Sequence, residues 1–235
     1  MIRLFLCIVC ILWLSSCDII PGSSIDQAKE QTPTTGVETL TQQFIQSAEA
    51  GNLEAVKKLL QEGTAINTQD ERGRTAVMAA TYNHQTDVVR LLISSGADIN
   101  IRDHQLNNVF LYAGAEGMLD IVQLAIDADA DTRLTNRYGG TALIPASERG
   151  HVEVVRELLT RTDIDVNHIN RLHWTALLEA VILGNGGIKH QQIVQLLIEH
   201  GADPEIADAE GNTPLQHAQS KGYHEIAAIL QRAGA

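Results

Sequence analysis

Residues 88–100 read Val88-Val89-Arg90-Leu91-Leu92-Ile93-Ser94-Ser95-Gly96-Ala97-Asp98-Ile99-Asn100. Val88, Val89, Leu91 and Leu92 recur at helical spacing and predict an amphipathic helix. Gly96 follows the stripe, at the place where a chain commonly leaves a helix through a left-handed residue. The same phrase returns along the chain. Further stripes run through Ile121, Val122 and Leu124, through Val154, Val155, Leu158 and Leu159, and through Ile193, Val194, Leu196 and Leu197. Closing turns fall at Gly63, Gly96, Asp129, Thr162/Asp163, Gly201 and Gly234. A second marker, Thr75, Asn108, Thr141, Thr175 and Thr213, advances in steps of 33, 33, 34 and 38 residues. Two independent markers with matching steps predict a tandem repeat.

Each unit reads alike. A Thr or Asn opens a short helix as N-cap, its side-chain oxygen accepting otherwise orphaned backbone N–H groups. Pro214 follows Thr213 at the first helical position, where a missing N–H does no harm. Ala80, Ala113, Ala146, Ala180 and Ala218 keep that helix narrow, so that neighbouring helices can approach closely. Gly51, Gly117, Gly150, Gly184 and Gly222 are expected to end it as left-handed caps. The striped helix comes second. One unit cannot bury its own stripe, so the units must stack into a solenoid.

This pattern resembles the ankyrin repeat over roughly residues 40–235. The strings that carry the resemblance are Asp70-Glu71-Arg72-Gly73-Arg74-Thr75, the 88–98 stretch, and Asp208-Ala209-Glu210-Gly211-Asn212-Thr213-Pro214-Leu215. It implies an all-α solenoid of about six helix-turn-helix repeats with β-hairpin-like fingertips, at about 41–70, 71–103, 104–136, 137–170, 171–208 and 209–235. The family's Thr-Pro-Leu-His tetrapeptide is never complete: Met78, Leu111, Ile144, Leu178 and Gln216 stand in the histidine's place, which predicts apolar packing instead of its hydrogen bond. The Thr-Ala-Leu variants and the glycine-rich insertion look like a widespread group of exported bacterial ankyrin proteins.

Several residues break the repeat's own pattern. Pro145 falls inside a first helix and should kink or shorten it. Leu106 and His173 take the usual fingertip glycine position, so a different geometry is expected in those two turns. Eight residues, Asn185 to Gln192, separate Gly184 from Ile193, five more than the template. They form either a tolerated surface loop or part of a binding face. The polar first helix (Gln42, Gln43, Gln46, Glu49) and the mixed last helix read as solenoid caps.

The N-terminus carries an address. Arg3 precedes an apolar run from Leu4 to Leu14, too short to span a bilayer and right for a signal-peptide core. Leu14-Ser15-Ser16-Cys17 resembles the bacterial lipobox, which implies cleavage after residue 16 and a diacylglycerol group on the Cys17 thiol. An ordinary signal peptide with an incidental cysteine is the competing reading. Cys7 and Cys10 would leave with the signal. Residues 17–40 then form a lipidated N-terminus and a Pro/Gly/Ser/Thr-rich tether with a reach of roughly 60 Å. The expected location is the cell envelope, facing the periplasm, and Asp18 tilts the expectation toward the inner membrane.

A net charge of -12 argues against a nucleic-acid partner or a polybasic membrane patch. No cysteine follows Cys17, and the nine histidines show no i, i+4 pair, so neither a disulfide scaffold nor a metal site is expected. There is no Gly-x-Ser-x-Gly elbow and no phosphate-cradling glycine loop; no enzyme and no cofactor is expected. Counting from each helix-opening residue places Arg72, Arg74, Arg137, Tyr138, Arg171 and Trp174 on fingertips, and Tyr82, Tyr112, Arg149 and Glu179 on the inner helix face. Tyr, Trp and Arg are the types enriched at interface hot spots. The expected function is recognition of a protein partner, the arginines pointing to a surface with acidic groups, either as an accessory factor for an exported enzyme or as an immunity protein. The alternative is a small ligand or cell-wall fragment held by Arg137, Arg171 and Trp174.

Overall fold

The computed structural model describes residues 39–235. The expected signal peptide, Cys17, Asp18 and the tether up to residue 38 lie outside the described residues. The helices come in pairs: α1 (Leu40–Glu49) with α2 (Leu53–Gln61), α3 (Ala76–Tyr82) with α4 (Thr86–Ser94), α5 (Val109–Glu116) with α6 (Leu119–Asp127), α7 (Leu143–Glu148) with α8 (Val152–Arg161), α9 (Ala176–Ile182) with α10 (Ile188–Glu199), and α11 (Pro214–Ser220) with α12 (His224–Arg232). The odd-numbered helices stack in one row and the even-numbered helices in a second, each pair touching the next. No strand forms among the described residues; a single antiparallel bridge joins Gln69 and Thr75.

Local chemistry sets the helix starts. Thr75, Asn108, Thr175 and Thr213 each accept the backbone N–H of the third helical residue, at 3.3, 2.8, 3.2 and 3.4 Å. The five small alanines of the inner row are fully buried, and Gly114 is held to glycine by Ala142, which an added Cβ would meet at 3.0 Å. The striped helices bury Val88, Val89 and Leu92, and the equivalents in every later pair. At the tetrapeptide position Met78, Leu111, Ile144 and Leu178 are buried apolar contacts, as expected, whereas Gln216 is exposed and its side chain accepts the Thr213 N–H at 2.8 Å.

Pro145 shortens α7 to six residues, and the hydrogen bonds show how. In the other units the fourth residue after the cap donates to the cap carbonyl, as Ala79 does to Thr75 at 2.9 Å. Proline has no N–H, so Ile144 donates to the Thr141 carbonyl instead, at 3.3 Å. That spends the N–H which Thr141 would have capped, and its hydroxyl oxygen is left buried with no partner among the described residues.

Two expectations about turns are corrected. Leu106 (φ 61°) and His173 (φ 60°) adopt the same left-handed backbone as Gly73, Gly139 and Gly211 rather than a different geometry. The reason is the residue three positions earlier. Asp70, Asp103, Asn136, Asn170 and Asp208 each accept two fingertip N–H groups on one side-chain oxygen, as Asp103 does from Gln105 at 2.8 Å and Asn107 at 3.0 Å. These two bonds over-determine the turn and hold even a branched or ring side chain in a left-handed conformation that costs roughly 1–2 kcal/mol. Gly184 is the second correction: it is not left-handed, whereas Gly186 is (φ 69°).

The insertion explains that exchange. It does not protrude as a bare loop; residues 188–192 extend α10 to twelve residues, against nine in α4 and α6. His151, at the start of α8, reaches back to the Ala115 carbonyl at 3.2 Å. In the next repeat His190 makes the matching bond, to the Glu148 carbonyl at 2.8 Å, and its other ring nitrogen meets Asn185 at 3.1 Å. The extra residues thus move the inter-repeat histidine along the chain without moving its partner. Gly184 must be glycine because a Cβ there would collide with the Ala180 carbonyl and the His190 ring. Tyr223 closes the far side, donating to the Gly184 carbonyl at 3.0 Å.

Candidate functional site

The fingertips and the inner helix row enclose a groove of about 590 Å³ that runs from the second repeat to the fifth. Its floor comes from α5, α7 and α9, and its rim from the turns at 105–107, 136–140 and 170–172. Tyr82, Tyr112, Arg137, Tyr138, Arg149 and Glu179 all line it.

Tyr82 and Tyr112 form an edge-to-face pair with ring centroids 4.3 Å apart. The Tyr82 hydroxyl donates to the Asp103 carboxylate and accepts from the Asn107 amide at 3.0 Å. Burial, aided by the Asp103 charge, pushes the Tyr82 phenol up to about 12. This pair is therefore a neutral, fixed wall. Tyr138 is different: it stands 54% exposed at the rim, with the Arg137 guanidinium 4.8 Å above its ring. Arg137 also donates to the Gln105 side chain at 2.6 Å and to the Tyr138 hydroxyl at 3.0 Å.

The other arginines are placed otherwise. Arg149 is ion-paired with Glu116 and donates to the Ala115 carbonyl at 2.9 Å. Arg74 is 14% exposed, clamped between Asp70 at 2.8 Å and Glu49 at 3.2 Å. Burial works against ionisation of Asp70, but the hydrogen bonds from Arg74 outweigh it and hold the carboxyl below its usual range. Arg171 donates to the Arg137 carbonyl at 2.8 Å, and its side chain lies against Gly139. Neither Arg171 nor the half-buried Trp174 lines the groove, so the grouping of Arg137, Arg171 and Trp174 does not form there. Arg72 and Arg74 line a separate depression of about 580 Å³, shared with Tyr82, Asp103, His104 and Gln105.

Glu179 is the unusual group of the floor. It is 6% exposed, and its Oε1 accepts from the Asn170 amide at 2.7 Å. Burial, and then the nearby Glu148 charge, push its carboxyl up to about 7. Counting along the repeats missed Asn170, Leu172, Ile144 and Pro145 as lining residues. Asn170 was legible in principle, because it repeats the fingertip Asx position of Asp70, Asp103 and Asn136.

Among the described residues no group of three or more His, Cys, Asp or Glu side chains is arranged to hold a metal ion. No helix among them is long and apolar enough to cross a membrane.

Comparison with known proteins agrees with this geometry. The family model described as Ankyrin repeats (3 copies) matches residues 23–106 and 110–207, and that described as Ankyrin repeats (many copies) matches residues 189–231. The ankyrin repeat protein YahD of Escherichia coli (strain K12) is 43% identical over 199 residues, covering 85% of this chain and 99% of the relative. A crystal structure of an ankyrin repeat domain from Acinetobacter baumannii AYE is 49% identical, with a TM-score of 0.80, over 82% of this chain and 97% of that one. The ankyrin repeat protein EF0377 is 38% identical, with a TM-score of 0.78, over 82% of this chain and 98% of that one. With its paired helices, 33-residue step and Asx-held fingertips, the chain belongs to the ankyrin-repeat family.

Proposed function

We propose that this chain is a non-enzymatic binding module that recognises a protein partner through the groove, while lipid on Cys17 anchors it in the envelope facing the periplasm. Ankyrin repeats are generally protein-interaction modules. The observation that carries the site is the groove of about 590 Å³ walled by Tyr82, Tyr112 and Tyr138, a concentration of aromatic surface in a chain with only 4% aromatic residues. Rigid aromatic walls beside half-exposed aliphatic side chains are what a hot-spot cluster consists of. The anchor rests on the lipobox-like Leu14-Ser15-Ser16-Cys17 alone.

The test of the groove is capture from detergent-solubilised membranes, comparing the native chain with Tyr138→Ala/Leu172→Ala. Both side chains are more than half exposed, so the double variant should fold normally. The partner should be lost; its undiminished recovery would contradict the reading. The test of the anchor is fractionation of Cys17→Ser, which should leave the membranes. Two roles fit a captured partner: an accessory factor would bring down an exported enzyme, whereas an immunity protein would bring down and inhibit a toxin.

A further inference from the structure

The arginines do not give the groove a positive floor. Arg149 is neutralised by Glu116, and Arg137 is held at the fingertip rim by Tyr138 and Gln105. What the floor presents without a counter-charge is acid: Glu148 and Glu179 line the groove, and neither is ion-paired among the described residues. Glu179 is more than nine-tenths buried, and its remaining exposure opens into the groove. Asn170 occupies one of its carboxylate oxygens, and no donor among the described residues reaches the other. Beside these carboxylates Leu172 and Leu183 stand 51% and 50% exposed. An aliphatic wall leading to a buried acid matches a long basic side chain, whose methylene stem packs while its charged head is neutralised.

We propose that the α7–α9 end of the groove takes a lysine or arginine side chain of the protein partner, its stem against Leu172 and Leu183 and its cationic head at Glu148 and Glu179. This rests on the reading of the groove as the protein-binding site and specifies the partner's chemistry. The partner surface is therefore basic, in line with the net charge of -12 on this chain, and the acidic partner surface suggested by the arginines is replaced. An incoming cation also removes the repulsion from Glu148 that, together with burial, keeps Glu179 partly protonated. A bare metal ion fits less well, because two carboxylates, one of them half used by Asn170, supply too few oxygens.

The test uses the full-length protein in detergent and three capped tripeptide probes: leucyl-lysyl-leucine, its norleucine analogue, which keeps the stem and drops the ammonium, and its glutamate analogue. Affinities are measured by fluorescence anisotropy. The lysine probe should bind at least tenfold tighter than the norleucine probe, and the glutamate probe weakest. Glu148→Gln/Glu179→Gln should abolish the preference for lysine and leave the norleucine affinity unchanged; glutamine at 179 keeps the acceptor for Asn170. Equal affinities, a preference that survives the double variant, or no binding of the lysine probe at millimolar concentration would overturn the inference. If Tyr138→Ala/Leu172→Ala leaves partner capture intact while the native chain prefers the lysine probe, the protein-binding reading fails and the cation subsite stands. If capture depends on the groove and the probes show no lysine preference, this inference alone fails.

Discussion

Asn108 caps α5 with its carbonyl oxygen, but its amide nitrogen is buried with no partner among the described residues. Threonine, the cap of the neighbouring units, offers the same acceptor and replaces the two orphaned amide N–H groups with a single hydroxyl proton that can rotate toward an acceptor. Asn108→Thr should therefore raise stability by about 1 kcal/mol, read as an upward shift in Tm. Glu179 makes a pH-dependent prediction. Its folded-state pKa is about 7, against 4.5 for the free group, so between those values the folded protein holds the extra proton and stability falls as pH rises. Above about pH 7 the full penalty, on the order of 3 kcal/mol, applies. Glu179→Gln should raise Tm at pH 8 and do much less at pH 4; an equal gain at both would contradict the assignment. At this scale the sequence was only partly legible. A left-handed Leu106 or His173 cannot be foreseen from those residues, because the cause is the Asx side chain three positions earlier.

Among the elements, α7 and α10 depart furthest from the repeat. The shortening of α7 was readable from Pro145 because the missing N–H is a local property. The course of the insertion was not, because its outcome depends on which later side chain can reach the Glu148 carbonyl from the neighbouring unit. His190 satisfies that carbonyl and Asn185 together while 7% exposed. His190→Ala should cost about 2 kcal/mol through an unsatisfied acceptor and a small cavity. Loss of protection should concentrate at the α9–α10 junction in hydrogen exchange. A uniform change along the chain would argue that α10 does not depend on this contact.

For the solenoid as a whole, each unit is held chiefly by its neighbours, and side chains also bridge from one unit to the next. The side-chain oxygens of Asn67, Asn100 and Asn167 accept the backbone N–H groups of Asp98, Asp131 and Asp203 at 2.9, 3.0 and 2.8 Å, one repeat further on. The repeat architecture was legible because stacking identical units imposes a fixed period on caps and stripes alike. The binding surface was legible only where position in the repeat decides it. Tyr82, Tyr112, Tyr138 and Arg137 reach the groove by register, whereas Arg74 and Arg171 are diverted by partners that register does not reveal. On the proposed function the groove, and not the outer helix row, meets the partner. Site-specific photo-crosslinking in cells separates the two surfaces, with the reactive group introduced at the exposed groove position Leu183 or at the exposed outer position Arg90. One discrete crosslinked protein is expected from position 183 and none from position 90; the same adduct from position 90, with none from position 183, would rule the groove out as the docking surface.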